Sequence, residues 1–157
     1  MDILLISNED TCRSRIAQEL LNSFGRGLKI TTAGVTEGNA VPDVVCTLMQ
    51  QKGYEVSRKK PSHISTYSNR NWDFVIALSK DASDELKMMN LQTEHKADLI
   101  FNDPLEDMTL NEDELLEQVD ALYQNMNKKL YEFYRDVLSE MVMPRCTCGA
   151  NTYCRCE

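Results

Sequence analysis

The 157 residues contain no apolar run near the roughly 18 that a membrane span needs. The opening Met1-Asp2-Ile3-Leu4-Leu5-Ile6 lacks the basic start and cleavage site of a secretory signal. Basic residues are the minority, 17 Lys+Arg against 25 Asp+Glu, for a net charge of -8. That balance argues against general nucleic-acid binding, which needs a basic footprint. An anionic substrate stays open, because a local site can oppose the global charge. Histidine is scarce: His63 and His95 lie far apart, away from clustered carboxylates or cysteines, and both read as surface residues. No internal repeat and no nucleotide, flavin or haem motif is visible. The expectation is a cytoplasmic protein that requires no cofactor, with no membrane and no nucleic-acid partner.

What is present suffices for one core. A hydrophobic fraction of 42% is too high for a disordered chain. The length fits one domain of roughly 100–200 residues. Ile3-Leu4-Leu5-Ile6 is a short continuous apolar run, the mark of a strand buried on both faces. A polar stretch follows, then Ile16, Leu20, Leu21 and Phe24 recur at helical spacing. The order repeats. Leu28 to Ala33 reads as a strand, and a helix starts near Asn39-Ala40-Val41-Pro42 with proline in its first turn. Asp73 to Leu78 is a third strand, Asp81 to Met89 a short helix, and Ala97 to Phe101 a fourth strand. Asn102-Asp103-Pro104 is a loop, because proline keeps the preceding residue out of the helical region. A long amphipathic helix runs from about Glu112 to about Leu138, with Leu115, Leu116, Val119, Leu122, Met126, Leu130, Phe133 and Val137 inward. The methionines Met88, Met89, Met126 and Met141 read as core filling, and Cys46 as a core residue of the second helix. Alternating strands and helices predict an α/β three-layer sandwich around a four-stranded parallel sheet. That domain spans 1–140, and 141–157 is a cysteine-rich tail.

The first loop carries the chemistry. In an open α/β sheet, ligands bind at the carboxyl ends of the strands. A helix N-terminus offers free N–H groups and partial positive charge to an oxyanion. Arg13, at that helix start, can grip an oxyanion with two donors. Strand, short loop, Cys12-Arg13-Ser14 and helix therefore make an oxyanion site from physics alone.

These residues also carry a family likeness. Thr11-Cys12-Arg13-Ser14, followed by Ile16-Ala17-Gln18-Glu19, resembles the loop of low-molecular-weight protein tyrosine phosphatases and the related thioredoxin-coupled arsenate reductases. Their pattern is Cys-x5-Arg-Ser directly after the first strand. Thr32-Ala33-Gly34, Gly53-Tyr54-Glu55-Val56-Ser57 and Asp103-Pro104 resemble three further motifs of the family in order. The likeness covers roughly residues 1–138, and four ordered motifs make chance agreement improbable. It implies hydrolysis of phosphomonoesters, phosphotyrosine above all, through a cysteinyl-phosphate. The loop Asn8, Glu9, Asp10, Thr11, Cys12 and Arg13 would bind the phosphoryl group of a phosphorylated protein or a small oxyanion. Ser14 would stabilise the nucleophile, and Asp103 would be the general acid.

This chain departs from that pattern. Six residues before Arg13 stands Ser7, where the family has its cysteine. A serine hydroxyl is largely protonated near neutral pH, so the covalent step should fail while the anion cradle survives. Ser7 reads either as an engineered trap or as a natural replacement in a binding protein derived from an enzyme. Glu9 and Asp10 stand where the family usually has Gly and Asn. Glu suits a left-handed backbone poorly, and two carboxylates repel a dianion unless they point away or find Lys or Arg partners. The rim is also poor in aromatics, with Val35-Thr36-Glu37-Gly38 after Gly34 and Leu105-Glu106 after Pro104. That leaves room for a small oxyanion such as arsenate, and arsenate reduction is the second reading. It needs resolving cysteines, and Leu78-Ser79-Lys80-Asp81-Ala82-Ser83 has none, so the tail would have to supply them. A non-catalytic oxyanion or phosphopeptide binder is the third reading.

Cys12 reads as a packing residue, since Ser7 cannot form a disulfide with it. Arg58, Lys59 and Lys60 read as a solvated face that gathers anions if it lies beside the loop. In the tail, Cys146, Cys148, Cys154 and Cys156 supply four thiolates, the number tetrahedral zinc takes. Two disulfides, a redox relay and a plain thiol tail are the alternatives.

Overall fold

The computed structural model describes residues 1–142, so the four tail cysteines lie outside the described residues. Four strands, β1 (Asp2–Ser7), β2 (Lys29–Gly34), β3 (Asn71–Ala77) and β4 (Gln92–Asp98), form one parallel sheet in the order β2-β1-β3-β4. The helices are α1 (Arg13–Phe24), α2 (Asp43–Gln51), α3 (Lys80–Met88) and α4 (Glu112–Phe133).

Strand β1 is central, which is why it is apolar at consecutive positions. Ile3 and Leu5 join α1, α2 and α4 in one core, and Leu4 and Ile6 join α3 and the turn Ile64–Tyr67 in another. All four side chains are fully buried, each worth roughly 1.5–3 kcal/mol over exposure. The result is the expected three-layer α/β sandwich around a four-stranded parallel sheet.

Several boundaries differ from expectation for physical reasons. The fourth strand is Gln92–Asp98, not Ala97–Phe101. It is the sheet edge, and five of its seven residues are exposed, so it lacks an apolar signature. The apolar run after it leaves the ladder but stays attached: Leu99 N–H donates to Ala77 O at 2.8 Å and Phe101 N–H to Leu78 O at 3.0 Å. Pro42 caps α2 from outside rather than sitting in its first turn. The last helix is interrupted by a π-turn, Tyr134–Leu138, before a short helix Ser139–Val142. The extra residue in that turn rotates the chain, so Leu138 is buried and Val137 only half-buried. Met126 fills the core as expected, whereas Met88 is 86% exposed. Cys46 is half-buried at the edge of the larger core.

Candidate functional site

From β1 the chain crosses to β2 on one side, and β3 then lies on the other. Ligands in such sheets bind outside the carboxyl ends of the strands at this switch point. Three connections meet there: Asn8–Cys12 after β1, the Ser79 turn after β3, and Phe101–Asp103 after β4.

The first loop is held by its neighbours. Val35 N–H donates to Ser7 O at 3.1 Å, and Thr36 N–H donates to Asn8 O at 2.9 Å. The loop backbone lies directly on the end of β2. A Cβ at Gly34 would stand 2.8 Å from the Glu9 carbonyl carbon and 3.0 Å from both Asn8 O and Asp10 N. His63 braces the same edge, with Nε2–H donating to Val35 O and Nδ1 accepting from Ser65 N–H. It is therefore a built-in brace and not the plain surface residue its sequence context suggests. His95 is exposed and stacks on Phe74.

Asp10 is the hub. It has φ +56°, the left-handed region that Asp tolerates better than most residues. Its N–H donates to Ser7 Oγ at 3.1 Å. Its fully buried carboxylate accepts from Ser14 Oγ at 2.7 Å, from Arg15 Nη2 at 3.2 Å and from Ser62 N–H at 3.0 Å. Asp10 thus points away from the cradle and is paired, which removes the repulsion expected of it. Glu9 is exposed and keeps φ out of the left-handed region. The Ser14 hydroxyl is spent on Asp10 rather than on Ser7, unlike the role its family likeness implies.

Helix α1 starts at Arg13, and its first N–H groups have no partners within the helix. No acidic residue stands in its first turn. Arg13 is buried and reaches across the molecule. Nη1 donates to Phe101 O at 2.9 Å, and Nη2 lies 3.5 Å from Asp103 Oδ2, while Nε has no partner among the described residues. Asp103 also accepts from Leu105 N–H at 2.9 Å, so it caps the short turn Pro104–Glu106 while facing Arg13. Cys12 is buried; burial, and next the charge of Asp103, push its thiol up, against a weaker pull from Arg13. It is a packing thiol. Thr11 is buried beside it and Asn8 half-buried at the loop's entry.

Ser7, Asp10 and Ser14 therefore form one hydrogen-bonded group and Arg13 and Asp103 a second, with Arg13 and Ser14 adjacent at the start of α1. The depression of about 330 Å³ beside Asn8 is lined by Val35, Thr36, Asp81, Asp84, Glu85 and Met88, none of them aromatic. Sequence reasoning missed Arg15, Ser62 and the Phe101 carbonyl. A signal for Arg15 was there: cations are disfavoured in a helix's first turn, so an arginine there calls for a counter-ion.

Among the described residues no group of three or more His, Cys, Asp or Glu side chains is placed to hold a metal ion. Among them, too, no helix is long and apolar enough to cross a membrane.

Comparison with known proteins gives the same architecture. The low molecular weight protein tyrosine phosphatase SP-PTP of Streptococcus pyogenes superposes with a TM-score of 0.67 at 15% identity, covering 89% of this chain and 95% of that one. An arsenate reductase of Archaeoglobus fulgidus gives 0.58 at 18% identity, covering 82% and 98%. A Cys→Ser mutant of the YwlE arginine phosphatase, with a phosphorylated active-site serine, gives 0.57 at 16%, covering 88% and 99%. No curated protein matches by sequence search. A family model, low molecular weight phosphotyrosine protein phosphatase, matches residues 2–140, and the chain belongs to that family.

Proposed function

We propose that this protein binds phosphomonoesters at the loop Ser7–Ser14 and that Ser7 blocks the cysteinyl-phosphate turnover of its relatives. The observation that carries the reading is the buried Ser7 Oγ at the end of β1, bonded by the Asp10 amide, together with the pairing of the buried Arg13, at the start of α1, with Asp103. The free N–H groups at the start of α1 supply donors for phosphoryl oxygens. Arg13 exchanges Asp103 for the incoming anion, which meets two donors of a planar fork. Asp103, released, faces the leaving-group oxygen as a proton donor. A hydroxyl at position 7 lacks the low pKa that lets a thiol attack as its anion. The ligand is a phosphorylated protein or a small oxyanion, held and not turned over.

The phosphorylated serine in the mutant relative suggests how far the chemistry proceeds. Ser7 Oγ can form a bond to phosphorus as the bond to the leaving oxygen breaks, with the Ser7 hydroxyl proton passing to a phosphoryl oxygen and the Asp103 proton to the leaving oxygen. The resulting phosphoserine is then not hydrolysed.

Arsenate reduction gains nothing from the described thiols. Cys12 is buried with its thiol pushed up, and Cys46 lies on α2 beside Glu19 and Tyr54. For the tail we propose a zinc site of four thiolates. Zinc content of the full chain, against a Cys146→Ser/Cys148→Ser variant, tests it: one equivalent lost on substitution supports it, and none in either removes it.

The main test is hydrolysis of an aryl phosphate by the chain, by Ser7→Cys and by Ser7→Cys/Arg13→Ala. The expected result is no turnover, measurable turnover, and a loss of about 10²–10³ in kcat, in that order. A Ser7→Cys variant that neither hydrolyses nor binds phosphate overturns the reading.

A further inference from the structure

We infer that Arg15 is a positioning residue for the anion loop, acting through Asp10. The inference rests on the phosphate-binding reading of that loop. Asp10 is 0% exposed and holds a left-handed backbone at the middle of the loop. A carboxylate so placed needs a counter-charge, because an unpaired buried ion is expensive. Arg15 provides it and does more. Its Nη2 reaches Asp10 Oδ2 at 3.2 Å while its Nε donates to the Asp10 carbonyl at 3.1 Å. One guanidinium therefore grips both the side chain and the backbone of the residue whose N–H rests on Ser7 Oγ.

The same guanidinium extends outward. It donates to Lys59 O at 3.0 Å and to Ser57 O at 3.5 Å, and Ser62 N–H closes the circuit onto Asp10 Oδ2 at 3.0 Å. The segment 57–62 is thus strapped to the back of the loop, and Arg15 is the buckle. Arg15 is itself 4% exposed, so its charge is not available to a ligand. Its effect on phosphate runs through the loop's shape: it fixes φ at residue 10 and so the direction of the donors that follow. Lysine would supply the charge but not the fork, since one ammonium cannot reach Nη2's and Nε's partners in one plane.

The experiment reads inorganic phosphate affinity by calorimetry, and hydrogen exchange of the residue 10 amide by NMR, on the full chain. The variants are Arg15→Met, Arg15→Lys and the double variant Asp10→Asn/Arg15→Met. Arg15→Met should weaken phosphate about tenfold and speed exchange at residue 10, while amides of Leu4 to Ile6 keep their protection. Arg15→Lys should recover little. The double variant has no buried charge to compensate, so it should fold, but without the fork on the residue 10 carbonyl it should stay about tenfold weak for phosphate. An arginine that merely neutralises Asp10 would instead give full recovery of binding in the double variant, and that result overturns the inference. If Arg15→Met does not fold, the double variant carries the test: weak phosphate with fast exchange at residue 10 supports the inference, and full affinity or failure to fold overturns it. Unchanged phosphate binding and unchanged exchange in Arg15→Met overturn it. If the starting chain binds no phosphate, the phosphate reading fails by itself. The exchange rate at residue 10 still decides the role of Arg15.

Discussion

Two arginines in the first turn of one helix are both buried, and each meets an aspartate, yet the two pairs differ in kind. Behind the loop, Arg15 and Asp10 touch at 3.2 Å, and the carboxylate has three donors. In front, Arg13 and Asp103 stand 3.5 Å apart, and Arg13 Nε has no partner among the described residues. The rear pair is saturated and joins residues close in sequence. The front pair is looser, under-bonded and joins residues ninety positions apart in the chain. A saturated buried pair has nothing to gain from a ligand. An under-bonded one does, because a bidentate anion satisfies the fork better than one distant oxygen. The comparison separates a pair whose hydrogen bonds are filled from one with donor capacity to spare.

Breaking the rear pair should have the largest effect. Asp10→Ala strands the Arg15 charge and puts a Cβ-bearing residue without a polar tip at φ +56°. A loss of about 3–5 kcal/mol is expected, or roughly 10 °C in melting temperature, read by urea and thermal unfolding. Breaking the front pair should hardly touch stability, at about 1 kcal/mol, because Phe101 O still holds Arg13. Asp103→Asn should tighten phosphate binding by removing a competing carboxylate, and in the Ser7→Cys background it should slow aryl phosphate hydrolysis about a hundredfold. Equal destabilisation by the two substitutions would erase the distinction.

Cys12 lies beside the front pair and feels both of its charges. Its raised thiol pKa predicts slow alkylation, about tenfold or more behind Cys46 near pH 8, read peptide by peptide in a mass spectrometer. Asp10→Ala should open it to reagent, whereas Asp103→Asn should speed alkylation only modestly, by removing a charge that helps hold the thiol up while leaving it buried. The smallest effect belongs to a control on the same helix. Burial raises the Glu19 carboxyl, so its ionised form is disfavoured in the folded state. Stability from this group is then lost as pH rises from the unfolded value through the folded one. Glu19→Gln should flatten that slope and add slightly to stability at neutral pH, whatever the state of either pair.

The front of the site was the legible part. Arg13 and Asp103 stand at positions where the chain resembles its family, the first in the strand-loop-helix pattern and the second in the Asp103-Pro104 motif. Central strands were legible because burial on both faces leaves consecutive apolar letters. The edge strand Gln92–Asp98 was not, because one paired side and an exposed row of side chains write a polar sequence. The π-turn had no letter of its own, since it changes phase without changing composition. The rear pair was only half legible. Asp10 was expected to repel phosphate unless it pointed away or found Lys or Arg, and the partner that meets this condition is five residues on, in a position that normally faces solvent or disfavours a cation. Only the fold shows that each of the two charges explains the other.

The bare backbone of Gly34 under Glu9 has a consequence of its own. The loop rests on the next strand with no side chain between them, so there is no padding to absorb an added atom. A single methyl at position 34 would act as a wedge under the Asn8–Cys12 loop, driven in from a neighbouring strand. The aperture of this site can thus be retuned by steric leverage from next door, with every residue of the loop left as it is.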